Sequence, residues 1–132
     1  MEIHEALHRY LATVPALSAI GDRIYEGAAD PQAQKPYIEF GYSIGTRDQT
    51  HDGPIPIVTA RFGLHVWDRT YRGARNNGMA LVKALLAFRG LGDVDVANTT
   101  VSGPDDNPES GPNSLYDDFG VDLMAEIIYR ER

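Results

Sequence analysis

Between Pro54 and Phe88 the apolar residues of this chain change period. Val58, Ala60, Phe62, Leu64 and Val66 fall on one phase of a two-residue rhythm. The interleaved set, Ile57, Thr59, Arg61, Gly63, His65 and Trp67, is mixed and mostly polar or small. Alternation of this kind predicts a long strand with one face buried, because successive side chains on a strand point to opposite faces. From Thr70 the spacing stretches, and Tyr71, Ala74, Gly78, Leu81, Val82, Leu85 and Phe88 gather on one side of a helix predicted over 70–89. Arg72, Asn76 and Lys83 take its solvated side. Gly78 falls in the buried stripe although glycine costs about 1 kcal/mol relative to alanine inside a helix, so the backbone is expected to approach the sheet closely there. Gly90 is the expected C-cap residue.

The remaining elements follow from the same patterns. Ile3, Leu7, Tyr10, Leu11 and Val14 make a narrow helical stripe over 2–14, and Pro15 ends it. Leu17 and Ile20 close a turn into a short strand at Arg23-Ile24-Tyr25. After a loop with Pro31 and Pro36 comes a strand from Tyr37 to Ile44, with Ile38, Phe40, Tyr42 and Ile44 on one face. The polar stretch Gly45–Pro56 reads as the mobile tip of a hairpin joining that strand to the long one. Strand signals return at Val94–Val101 and stop at Ser102, where Ser102–Ser114 reads as an exposed acidic loop. The chain closes on a clean alternation, with Val121, Leu123, Ala125, Ile127 and Tyr129 inward and Asp122, Glu126 and Arg130 outward. The predicted fold is a single α+β domain over residues 1–132: a mostly antiparallel sheet with a long β-hairpin and two helices packed on one face.

The chain has 132 residues, enough for one real core. Its formal charge is −7 and its pI about 4.9, which argues against a surface that grips nucleic acid, though an acidic wall suits DNA that must pass without sticking. There is no cysteine, so disulfide and thiolate chemistry are excluded. No signal-peptide pattern or membrane-length apolar run is present, and a soluble protein made inside the cell is expected, with no membrane partner. Asn98-Thr99-Thr100 matches a glycosylation sequon and is read as chance in that setting.

Four stretches could carry chemistry. His4-Glu5-Ala6-Leu7-His8 matches H-E-x-x-H, which sets two imidazoles one helical turn apart to hold zinc beside a glutamate base. Against a small zinc-dependent hydrolase, the apolar stripe puts both histidines on the helix flank and Glu5 toward water. Leu11 and Val14 also occupy the positions where an extended motif has glycine and a third histidine. Glu26 is the one tempting distant carboxylate. Asp105, Asp106, Asn107 and Glu109 suggest calcium, but Ser110 and Tyr116 stand where an EF-hand needs glycine and glutamate. The pair His51-Asp52 has no nucleophile beside it in sequence and reads as a polar turn. Two unlike charge clusters are the fourth: Arg69, Arg72 and Arg75 at the start of the second helix, and Asp105, Asp106, Glu109, Asp117 and Asp118 late in the chain. Unlike patches on one surface can meet between neighbouring copies. The candidate contact residues are therefore Arg47, Asp48, His51 and Asp52 in the hairpin tip, with Arg69, Arg72, Arg75, Asp105, Asp106 and Glu109. Trp67 joins them as a large aromatic on the outward phase of its strand, to be covered by another element or by a neighbour. No catalytic residue, metal or cofactor is expected.

In its order of segments the chain resembles the tail-completion, or tail-terminator, family of tailed bacteriophages and prophages. The likeness rests on Ala16-Leu17, Asp22-Arg23-Ile24-Tyr25, Lys35-Pro36-Tyr37-Ile38, Asp52-Gly53, Leu64-His65-Val66-Trp67-Asp68 and Thr70-Tyr71 with Ala74, covering about Leu7 to Phe88. The long acidic stretch before the last strand departs from the compact pattern of that family. The resemblance implies a virion structural protein of the tail or neck, assembled in the host bacterial cytoplasm. Copies would form a ring, typically a hexamer, on the tail tube, stop its polymerisation and join the tail to the head connector while DNA passes through. No catalytic residue or cofactor comes with it. Another phage neck protein of the same architecture is the neighbouring reading.

Overall fold

The computed structural model describes residues 2–30, 32–45, 49–50, 53–54, 57–107 and 119–131. In chain order the elements are α1 (Ile3–Leu11), a 3-10 turn (Pro15–Leu17), β1 (Ile24–Glu26), β2 (Tyr37–Ile44), β3 (Gln49–Thr50), β4 (Gly53–Pro54), β5 (Ile57–Asp68), α2 (Tyr71–Ala87), β6 (Gly90–Leu91), β7 (Val94–Asp106) and β8 (Phe119–Glu131). Six strands form one sheet in the order β1-β2-β5-β8-β7-β6, antiparallel except for the β1–β2 pair, and β3 pairs with β4. The fold is α+β with a mostly antiparallel sheet, as the patterns imply.

β5 lies in the middle of the sheet, which explains its sequence. It pairs with β2 on one side and with β8 along all twelve residues on the other. Val58, Ala60, Phe62, Leu64 and Val66 are all buried, as are Val121, Leu123, Ala125, Ile127 and Tyr129 of β8. Both helices cover this face with Ile3, Ala6, Leu7 and Leu11 of α1 and Ala74, Leu81, Ala84 and Leu85 of α2. Each large side chain removed from water there contributes roughly 1.5–3 kcal/mol.

Several boundaries differ from the sequence expectations. α1 stops at Leu11 because Pro15 disfavours helical geometry just before it, and Val14 leads the 3-10 turn instead. Tyr71 opens α2 but is 51% exposed, and Ile44, expected inward, is 49% exposed beside an open groove with Glu2 and Ile3. Gly90 is not the cap of α2. Phe88 already leaves helical geometry with ψ 122°, while Gly90, at φ 118°, pairs with Asp95 where a Cβ would strike the Val94 carbonyl. β7 continues five residues past its expected end. Gly103 and Pro104 are absorbed in a register shift between Ser102 and Asp105, so Asp105 and Asp106 stand in a strand opposite Asp122 and Val121.

Candidate subunit-contact surface

The passage from β5 into α2 is built by side chains that satisfy the start of the helix. Thr70 Oγ1 accepts the Gly73 N–H at 3.0 Å, the ordinary N-cap bond. Asp68 accepts the Arg69 N–H at 2.6 Å and an Asn77 side-chain N–H at 3.2 Å, setting a carboxylate against the positive end of the helix. A Cβ at Gly73 would collide with that carboxylate. Arg69 and Arg72 are left exposed at this corner.

Two residues assigned to opposite charge clusters meet inside the chain. Arg75 Nη1 donates to the Pro104 carbonyl at 2.9 Å and stands 3.5 Å from Asp106 Oδ1. The Tyr71 hydroxyl reaches Asp106 Oδ2 at 3.4 Å, and its ring meets Phe119 edge-on at 6.2 Å. These contacts tie the end of β7 to the first turns of α2. Asp105 is exposed. Arg47, Asp48, His51, Asp52 and Glu109 lie outside the described residues.

The outer face of the sheet carries an ordered polar layer. Trp67 Nε1 donates to Glu39 Oε1 at 2.7 Å, and the other oxygen of Glu39 accepts the Ala29 N–H at 2.6 Å. The indole is thus covered by its own chain. Next along β5, His65 Nδ1 lies 2.6 Å from Asp122 Oδ1, which also accepts from Asn107 Nδ2 at 3.0 Å. Arg61 pairs with Glu126 at 3.2 Å. Glu39 and Gly120 do not announce themselves in sequence, and Asn107 stands out there only in an acidic run that suggests calcium. The roles of Glu39 and Gly120 arise from the registers that set Glu39 beside His65 and Gly120 beside Trp67.

The H-E-x-x-H stretch is occupied by packing. The His4 ring stacks on Tyr42 at 4.7 Å and 10°, and His8 meets Phe40 edge-on at 6.1 Å, so both are drawn onto the sheet rather than into water. His4 Nδ1 is buried without a hydrogen bond, with Glu2 Oε2 standing 3.3 Å away out of bonding alignment. Among the described residues no three His, Asp or Glu side chains converge to hold a metal ion. No helix among them is long and apolar enough to cross a membrane.

These contacts sit on an α+β scaffold of one six-stranded sheet with two helices packed against it. The model of the family described as "Tail completion protein gp17" matches residues 5–114, and the chain belongs to that family of phage structural proteins. The match extends past the segments that carry the sequence resemblance, to residues beyond β7. No individually curated protein sequence matches the chain. Among solved structures, a chain from "Virion of native gene transfer agent (GTA) particle" shares its fold at a TM-score of 0.73 and 15% identity, over 97% of this chain and 94% of that one.

Proposed function

We propose that this protein caps the tail tube of a tailed phage or prophage as a closed ring, six copies in number. Docked on the last tube layer, the ring ends tube polymerisation and offers the surface that the head connector binds, with DNA passing through its centre. Assembly takes place in the bacterial cytoplasm, and the protein then resides in the tail or neck of the virion. It works by shape and self-association, without catalysis. The observation that carries this reading is the tail-completion family match across 5–114. The shared fold with a chain of a gene transfer agent virion supports it.

The contacts would come from exposed charge. Arg69, Arg72 and Asp105 are exposed and would face a neighbour, and Arg47, Asp48, His51, Asp52 and Glu109, which lie outside the described residues, would join them. Trp67, Arg75 and Asp106 are engaged within the chain and would act by holding that surface in shape. Negative-stain microscopy of the purified protein with tail tubes tests the proposal. Rings capping one tube end are expected. Tails of normal length, properly joined to heads, in particles lacking this protein would overturn it.

A further inference from the structure

Both sides of the six-stranded sheet end on strands that are only partly covered. β1 pairs with Ile38, Glu39 and Phe40 of β2 and stops there. The Gly27 N–H on the Phe40 carbonyl is the last bond on that side, and the chain then crosses to the outer face, where the Ala29 N–H meets Glu39. On the far side β6 covers only Val94 and Asp95 of β7. The Val96 N–H goes to the Arg89 carbonyl, and the Pro104 carbonyl accepts from Arg75. Residues 41–44 of β2 and 99–102 of β7 are left as open edges among the described residues.

The direction of the backbone groups follows from the alternation along each strand. The Ile38 N–H and the Phe40 carbonyl face β1, so the N–H and C=O of Tyr42 and Ile44 point to the open side. The Thr59 carbonyl faces β2 and accepts the Gly45 N–H, so Ala60 and its partner Ile127 face each other between β5 and β8. Glu126 then faces Thr100 of β7, and Thr99 and Val101 point outward.

These two edges suit each other. Tyr42, Phe62, Ala125 and Val101 stand at one level of the sheet, and Ile44, Ala60, Ile127 and Thr99 at another. β2 and β7 lie three antiparallel steps apart and so run in opposite directions. Neither Gly41-Tyr42-Ser43-Ile44 nor Thr99-Thr100-Val101-Ser102 carries a charge or a proline, the usual guards of an exposed edge. Ile44 is 49% exposed, and Thr99 Oγ1 is buried without a hydrogen bond. Two β7 edges paired with each other would instead draw Asp95 toward Asp105, like charges across a ladder.

We infer that the β7 edge of one copy pairs antiparallel with the β2 edge of the next, Val101 opposite Tyr42 and Thr99 opposite Ile44, so that the sheet continues from subunit to subunit. The two edges are different surfaces, so the contact is heterologous and propagates until it closes. The inference rests on the ring reading above and names a contact within it.

The chain has no cysteine, so a pair introduced at Ser43 and Thr100 reports this contact without background. Across the junction these two form a non-hydrogen-bonded pair with Cα atoms about 4.5 Å apart, within disulfide reach. Inside one chain they lie three strand spacings apart, about 14 Å, too far to bridge. Ser43→Cys with Thr100→Cys, assembled alone or on tail tubes and then oxidised, is expected to give a covalent series that ends at the closed ring. Either single variant stays uncrosslinked, and a mixture of the two gives dimers only. Val101→Pro removes an N–H that no group within the chain uses. It is expected to raise the concentration needed for assembly roughly tenfold in sedimentation velocity, with the melting temperature of the monomer unchanged. Rings of the double-cysteine variant that do not cross-link overturn the contact and leave the ring reading standing. So do dimers from a single variant, which would set like edge against like, and a Val101→Pro chain that assembles at the native concentration. A native chain that assembles neither alone nor on tubes overturns both.

Discussion

The indole of Trp67 rests on the backbone of Gly120, its directly paired neighbour on β8. A Cβ built on Gly120 would lie 2.8 Å from both Cε3 and Cζ3 of the ring, closer than carbon atoms pack. Gly120 therefore makes room for an aromatic held in place by its bond to Glu39.

Gly120→Ala is expected to lift the indole, lengthen its bond to Glu39 and cost about 1–3 kcal/mol by overpacking. At roughly 3–5 °C per kcal/mol the melting temperature should fall measurably. Trp67 is the one tryptophan in the chain, so its fluorescence reports the same event as a shift to longer wavelength. An unchanged spectrum together with an unchanged melting temperature would count against this packing.

Gly78 makes the corresponding close approach on the inner side of the sheet. An added Cβ would stand 2.8 Å from Val121 Cγ2 and 3.2 Å from Pro104 Cβ. Helix propensity alone favours alanine by about 1 kcal/mol, so the sign of Gly78→Ala decides between propensity and packing. Packing should win, giving net destabilisation of about 1–2 kcal/mol in denaturant unfolding. A more stable variant would mean that α2 can move off the sheet at little cost.

These two glycines show what the sequence makes legible. Gly78 stands out because a helical stripe places it among buried residues, a local pattern. Gly120 does not, because its role depends on which residue of β5 lies opposite, and pairing register is a long-range property. The same distinction holds for β7. Gly103-Pro104 reads locally as a strand end, yet a register shift of the kind a β-bulge makes carries the strand through it and delivers Asp106 to Arg75. Alternation located β5 and β8 well, since each has one buried face. The charge clusters were visible as clusters, but that two of their members meet within one molecule depends on α2 packing against β7.

The fate of His4 and His8 yields a third prediction. Both rings pack on β2, so His8→Ala is expected to lower stability by about 0.5–1.5 kcal/mol through loss of the edge contact with Phe40. The zinc content of the purified protein should be at background before and after the substitution. Stoichiometric zinc in the parent that disappears in His8→Ala would instead make this helix a metal site.

Tyr10 gives the fold a dependence on alkaline pH. Its hydroxyl donates to the Ala84 carbonyl at 2.8 Å and its ring packs 4.8 Å from Phe88, joining α1 to α2. Burial pushes the phenol above its ordinary value of 10, with the Arg89 charge opposing it in part. The neutral phenol is thus favoured in the folded state. A group whose folded pKa is raised contributes stability that is fully present below the unfolded pKa and is lost as pH rises through the folded one. Tyr10→Phe should therefore cost about 1 kcal/mol at pH 7–8, the net worth of the hydrogen bond. Above pH 10 the gap between the two proteins should narrow, because the native phenol must then ionise on unfolding while phenylalanine cannot. Melting temperatures of both proteins between pH 8 and 11 check this. A difference that stays constant across that range would mean that Tyr10 titrates alike in the folded and unfolded chain.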